Sequence, residues 1–303
     1  MNKITIILLS ILAVLFFLYF FLPDLSPKDM SWDSIKSENI DRIIISSKTS
    51  TKTLKKDGDL WITEKEKYRI DPDYMNTLLD IFTSERTFTL ISKNPVFSKY
   101  DLDDANRITA EAFMGDKPLR KLFVGKNVGT DSHTFVLVEN DTNIYQTGGN
   151  FSFELKKDIS EIRDKKIISF EESVLSSICI EKNANSFTII PKRKTEGEEV
   201  EFTWEDKNGK VLDQEKIMLI VDTISYIDCS EFLGSKQELL TKTPVLKVTI
   251  KTFSKENVLS VVENMGDRGY SAYTNDRDYA FIIDSYSVER LFSDFSTFYP
   301  EKK

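Results

Sequence analysis

The feature that most limits what this chain can become is an uncharged apolar run near its start, Ile4 to Leu22 (ITIILLSILAVLFFLYFFL). Its nineteen residues, at about 1.5 Å of rise each, nearly span a hydrocarbon core of roughly 30 Å, so residues 1–23 are expected to form a transmembrane anchor helix. A cleavable signal peptide is the competing reading, but its apolar region is about 7 to 15 residues long and ends in small residues. Here the run ends Phe20-Phe21-Leu22-Pro23, and no cysteine lies nearby for lipoprotein processing. Lys3 and the α-amino group precede the run, whereas Asp24, Lys28, Asp29 and Asp33 follow it. Positive charge stays inside. The chain is therefore expected in the cytoplasmic (inner) membrane as a single-pass protein, with everything after Pro23 extracytoplasmic. Residues 24–39, which take in most of the Pro-containing stretch Pro23 to Ser37, read as a linker lifting the rest off the bilayer.

At 303 residues the chain exceeds one minimal domain, and its size suggests about two. With 40% hydrophobic residues and only 11 Gly and 8 Pro it can bury a core, which excludes wholesale disorder. The net charge of −8 comes from interspersed signs and leaves no footprint for nucleic acid. The two basic runs, Lys52 to Lys56 and Lys192 to Lys194, are short and soon followed by acids, as in solvated strands or turns. Cys179 and Cys229 lack CxxC spacing, which excludes zinc ribbons and thioredoxin chemistry. A disulfide between them and a pair of small buried hydrophobes are both open readings.

Two stretches follow one plan. Asp41 to Ser47 and Leu60 to Thr63 are strand-like, and Asp71-Pro72 then opens a helix with Tyr74, Met75, Leu78, Leu79 and Phe82 on one face. Strand-like segments follow at Thr87 to Ile91, Arg107 to Phe113, Leu119 to Val124, His133 to Val138 and Asn143 to Gln146, before a short amphipathic stretch, Phe151 to Lys157. In the second half Ser177 to Ile180, Phe187 to Ile190 and Glu201 to Trp204 precede a helix capped by Asp213 and carrying Ile217, Ile220, Val221 and Ile224. Val245 to Thr252, Val258 to Val262, Ser271 to Thr274 and Tyr279 to Ile283 then read as strands, and Val288 to Phe295 as a closing helix. The expected fold class is thus α+β: a transmembrane helix, then two tandem, duplicated antiparallel-sheet-plus-helix domains at 40–172 and 173–303.

Several of these landmarks form a recognisable set. Leu60-Trp61 leading to the Asp71 helix, Lys99-Tyr100-Asp101-Leu102-Asp103, Leu122-Phe123-Val124-Gly125 and Arg163-Asp164-Lys165-Lys166-Ile167-Ile168-Ser169-Phe170 together resemble the bacterial domain of unknown function 4340 family. Asp101 stands in the glycine place of that family's tyrosine-glycine-leucine turn, and Ala105 stands near the place of its usual proline. The resemblance implies a membrane-tethered extracytoplasmic protein associated with gliding-type ABC transport systems, and it assigns no catalytic residues.

Candidate chemistry is thin. His133 is the sole histidine and lies in Ser132-His133-Thr134-Phe135 without a GxSxG nucleophile motif, so it reads as a strand residue rather than a general base. Asp101-Leu102-Asp103-Asp104-Ala105-Asn106 begins like a calcium loop but fails as an EF-hand: position five is Ala, position six is not Gly and position twelve is Ala112. An acidic turn capping its own backbone fits it better. Gly125-Lys126 lacks a P-loop's upstream glycine, so Gly125 and Gly129 read as hairpin punctuation, as do Gly266 and Gly269. Tyr270, Tyr273, Tyr279 and Tyr286 suit either sheet packing or an interaction surface.

No catalytic, cofactor-binding or metal-binding residue is nominated, and no cofactor is expected. The favoured expectation is a non-enzymatic accessory or scaffold module docking on an ABC-type transporter or other envelope complex. The alternatives are a glycan- or peptide-acting hydrolase working through paired carboxylates and a passive glycan- or peptide-binding module.

Overall fold

The computed structural model describes residues 11, 12, 14, 16, 17, 29–93, 96–129, 132–196 and 199–300, with backbone alone at 194–196 and 199–201. The described chain divides into two compact units, one of residues up to Lys65 with Pro72–Ile162, the other of Glu66–Asp71 with Arg163 onward.

The first unit contains strands β1 (Met30–Trp32), β2 (Arg42–Ser46), β3 (Thr51–Asp57), β4 (Leu60–Thr63), β5 (Arg86–Ser92), β6 (Ile108–Met114), β7 (Lys117–Asn127), β8 (His133–Val138) and β9 (Ile144–Gly148). Its helices are α1 (Pro72–Thr83), α2 (Phe151–Lys156) and α3 (Ile159–Ile162). The strands form one antiparallel sheet in the order β1-β5-β9-β8-β7-β6-β2-β3-β4. Alternation fixes which face is buried: Ile43 and Ile45 of β2 point inward opposite Ala112 and Ala110 of β6, large against small across the register. Pro72 begins α1 with Asp71 just before it, and Tyr74, Met75, Leu78, Ile81 and Phe82 are buried along one stripe. Burial of each such side chain contributes about 1.5–3 kcal/mol.

The second unit contains β10 (Lys166–Ser169), β11 (Leu175–Lys182), β12 (Asn185–Glu196), β13 (Glu199–Asp206), β14 (Tyr226–Asp228), β15 (Glu231–Ser235), β16 (Leu246–Thr252), β17 (Glu256–Asn264), β18 (Tyr270–Thr274) and β19 (Tyr279–Ile283), with helices α4 (Gln214–Ser225), α5 (Gln237–Leu240) and α6 (Ser285–Leu291). The main sheet runs β13-β12-β11-β16-β17-β18-β19-β15, and β10 pairs with β14. Asp213 caps α4 by accepting from the Lys216 amide, and Ile217, Ile220, Val221 and Ile224 are buried in a core shared with Ile178, Ile180, Val248, Ile250 and Trp204.

The strand orders correspond place by place. β2-β3-β4 match β11-β12-β13, and β6-β7-β8-β9 match β16-β17-β18-β19. β5 pairs with β1 through its first residues and with β9 through its later ones, which is how β14 and β15 divide between β10 and β19.

Two corrections to the expected fold class follow. Strands dominate: long meanders supply most of the ordered residues, while among the described residues the longest helices, α1 and α4, have 12 residues each. Among the described residues, moreover, no helix is long and apolar enough to cross a membrane. The run Ile4 to Leu22 lies mostly outside the described residues; residues 11, 12, 14, 16 and 17 of it are placed, as helix. Residues 24–28 of the expected linker also lie outside them, while β1 falls within 29–39. The expected closing helix Val288 to Phe295 instead spans Ser285–Leu291, because Asp294 accepts from the Ser296 amide and starts a separate 3-10 turn, Phe295–Phe298.

Candidate functional site

The residues carrying the family resemblance meet one another inside each unit. In the first unit a 3-10 turn, Phe97–Tyr100, ends at Asp101, whose φ of 57° is left-handed. Aspartate tolerates that region better than most residues, which accounts for its standing in a glycine place. Gly125 is no hairpin residue. It lies inside β7, where an added Cβ would overlap the Tyr100 carbonyl oxygen and sit 2.9 Å from Leu102 Cγ. The missing side chain lets the turn settle on the sheet, burying Leu102 with Leu137 and Ile144 against Tyr100, Phe123 and Phe135.

The acids of this turn are engaged locally. Asp103 accepts from the Ala105 amide at 3.0 Å and from Asn106 Nδ2 at 3.0 and 3.1 Å. The Asn106 hydrogen bond foremost, with the backbone ones, holds its carboxyl below the usual range despite some desolvation. Asp104 pairs with Arg107 at 2.8 Å, and Ala112 is buried in β6. Among the described residues no group of three or more His, Cys, Asp and Glu could hold a metal ion.

In the second unit the landmark Arg163 is a buried plank. Its guanidinium carbon lies 3.5 Å from the Tyr68 ring centre, 3.4 Å from that of Phe232 and 4.7 Å from that of Tyr279. Nε and Nη2 are buried without a hydrogen-bond partner, and burial draws the group below its ordinary pKa. Aromatic faces provide the compensating electrostatics. Beside it, buried Arg277 donates to Tyr279 Oη at 2.9 Å, to Asp164 O and Oδ2 at 3.3 Å each, and to the Lys166 carbonyl. Residues 66–71 are held in this cluster by the Ile70–Arg163 bridge, the Asp164 amide donating to Arg69 O at 2.9 Å, and the Arg69–Asp276 ion pair at 3.0 Å.

Cys229 is buried against the same cluster, and burial pushes its thiol up to about 11, with Arg277 and Arg163 opposing. Such a thiol is a poor nucleophile at neutral pH. Cys179 is half-buried and, lying between Ile178 and Ile180 on the other side of the pleat, faces away from the core that holds Cys229; both cysteines are free.

His133 is exposed at the start of β8, its Nδ1 3.0 Å from Ser132 Oγ, beside an open cavity of about 350 Å³ that Glu85, Arg86 and Gln146 help line. Arg86 is committed to Asp80 at 2.5 Å and stacks on Phe151 at 4.7 Å. The four tyrosines divide: Tyr279 is core, Tyr270 packs beside Phe292, Tyr273 joins Leu239, Val262 and Ala280, and Tyr286 is exposed under Arg290.

A cavity of about 430 Å³ lies in the first unit between the β2–β3 hairpin, the start of β6 and the end of α2. Lys52 on its wall donates to the Leu155 carbonyl at 2.9 Å and to that of Lys157, capping α2, and burial lowers its pKa against the pull of Asp158 and Glu161. Lys182 does the same in the second unit, donating to the Phe292 carbonyl at 2.8 Å and to that of Ser293 beyond α6. In sequence Lys52 reads only as the start of the solvated basic run Lys52 to Lys56, and Lys182 carries no signal of its own. A position beside a strand hairpin becomes meaningful once the hairpin is folded against a helix end.

These features define a class of protein: a two-unit antiparallel-sheet module whose partly buried lysines and arginines hold helix ends and chain segments in place. The family model for a domain of unknown function, DUF4340, matches residues 61–243, more than half of the chain, and the chain belongs to that family. No curated protein and no solved structure matches it.

Proposed function

We propose that this chain is a non-enzymatic accessory module of a membrane assembly, docking on an ABC-type transport complex or another envelope complex from the extracytoplasmic side. One observation carries this reading. The residues of the family resemblance pack as architecture: Tyr100 and Leu102 against Gly125, and Arg163 and Asp164 in the arginine and aromatic cluster. Residues committed to holding a shape favour a docking role over a reaction. The apolar run Ile4 to Leu22, preceded by Lys3 and followed by acids, supports placement at the membrane.

Crosslinking in intact cells followed by purification in mild detergent tests it. Transport-complex subunits should co-purify, and protease added to spheroplasts should digest the bulk of the chain. Recovery of the protein alone after crosslinking would overturn the docking role, and a protected chain would overturn the placement.

A further inference from the structure

We propose that the cavity between the β2–β3 hairpin and the end of α2 binds a small polyhydroxylated carboxylate, of the sugar-acid class. Its volume of about 430 Å³ is within the range of small-molecule sites. Three lysines, Lys48, Lys52 and Lys156, line it against one acid, Asp158, so its formal charge is 3 − 1 = +2. Ile45 and Leu155, both buried, give it an apolar floor.

Besides the two lysines, the polar groups on its hairpin side are hydroxyls already set by one another. Ser47 Oγ lies 3.1 Å from Ser50 Oγ and 3.4 Å from Thr49 Oγ1. Hydroxyls of this kind both donate and accept, which suits a ligand bearing several hydroxyls. Asp158 narrows the choice further. Acceptor-only when ionised, it takes hydrogen bonds from ligand hydroxyls, of which a sugar acid offers several and inorganic phosphate far fewer. The partial burial of Lys52 strengthens attraction to a single carboxylate.

The second unit supplies an independent comparison. Phe187, opposite Ile180 of β11, occupies the place of Lys52, which lies opposite Ile45 of β2; Phe295 stacks on this ring at 5.2 Å and covers the Lys182 ammonium at 4.4 Å. Phe298 packs on the same Phe187 ring, also at 5.2 Å. In the first unit the chain from Leu155 to Ile162 (LKKDISEI) carries no aromatic residue. One fold therefore plugs this place with rings in one unit and leaves it lined with lysines and hydroxyls in the other, so the cavity belongs to this unit's side chains and does not follow from the strand order.

Saturation-transfer NMR and calorimetry on the full chain, in detergent at physiological ionic strength, would use glucuronate, glucose and inorganic phosphate as probes. Glucuronate should bind, with glucose and phosphate at least about tenfold weaker. The double variant Lys48→Ala/Lys156→Ala, both exposed positions, should keep the circular dichroism of the parent and lose about tenfold or more in glucuronate affinity. Absence of glucuronate binding, indifference to the double variant, or glucose or phosphate matching glucuronate would each overturn the proposal. Each of these results leaves the docking role standing, since that role is read by co-purification.

Discussion

Gly125→Ala is a sharp test of the turn-on-sheet packing in the first unit. The new methyl would overlap the Tyr100 carbonyl oxygen and come within 2.9 Å of Leu102 Cγ, and the first obstacle is backbone. That backbone is itself tied, because the Leu102 amide donates to Phe97 O at 3.0 Å and Arg107 to Asp103 O at 2.9 Å. Two ways of relieving the clash are available. Straining β7 and the turn in place costs about 1–3 kcal/mol, as overpacking does. Lifting the turn exposes Leu102, now 1% accessible, at about 1.5–3 kcal/mol, and also loosens the Tyr100–Phe135 ring contact at 4.9 Å. The cheaper route still predicts a loss of about 1–3 kcal/mol. Gly129→Ala is the matched control, since nothing lies within 4 Å of its added Cβ. Equilibrium urea unfolding of both variants, with hydrogen exchange at the Leu102 and Arg107 amides, reads the effect. Gly125→Ala within about 0.5 kcal/mol of the parent, or Gly129→Ala as damaging, would refute the reasoning.

Three further outcomes follow from the same packing. Arg163→Ala should destabilise the second unit by about 3 kcal/mol, and Arg163→Lys should not restore it, because an ammonium cannot stack flat between two rings; a lysine variant as stable as the parent in urea would contradict this. With the Cys229 thiol pushed up to about 11 from an ordinary value of 9.0, the folded chain keeps a proton that the unfolded chain releases, so stability is full below about pH 9 and falls toward pH 11. Cys229→Ala should flatten that fall in pH-dependent urea titrations, and a maleimide at pH 8 should label Cys179 while sparing Cys229 until denaturant is added. Lys52→Met and Lys182→Met should each cost about 1–2 kcal/mol, since each strips charged donors from two carbonyls at a helix end; thermal melts unchanged by both would refute the shared capping role.

What the sequence made legible was local. Asp213 at the head of α4 and the Ile217, Ile220, Val221 and Ile224 stripe are written within one helix length, and Tyr279–Ile283 is a strand by its own composition. Leu79 of the expected α1 stripe is only half-buried, and Ile81, outside that stripe, is buried. Gly125 reads as a turn residue in sequence because glycine marks turns far more often than it marks a close approach inside a strand, and the approaching carbonyl comes from Tyr100, twenty-five residues earlier. Arg163 and Arg277 were out of reach for a similar reason: an arginine's environment is set by whichever rings and carboxylates the fold brings to it, here from Tyr68, Phe232 and Asp164.

The two strand orders also say where functional differences can lie. β11 to β13 and β16 to β19 keep the neighbours of β2 to β4 and β6 to β9, and a lysine caps the closing helix in both units. Structure common to both is what folding requires of this topology. The outer face of the first sheet is covered by a turn settled on Gly125, whereas that of the second is covered by α5 through Leu239 on Val262 and Ala280. Phe295 fills one hairpin-to-helix corner, and Lys48, Lys52, Lys156 and Asp158 surround the other. Replacing rings by charged and hydroxyl-bearing groups gives up apolar burial that the second unit shows this corner can accommodate. Side chains that forgo available packing at one of two matched places are the ones to test for binding first.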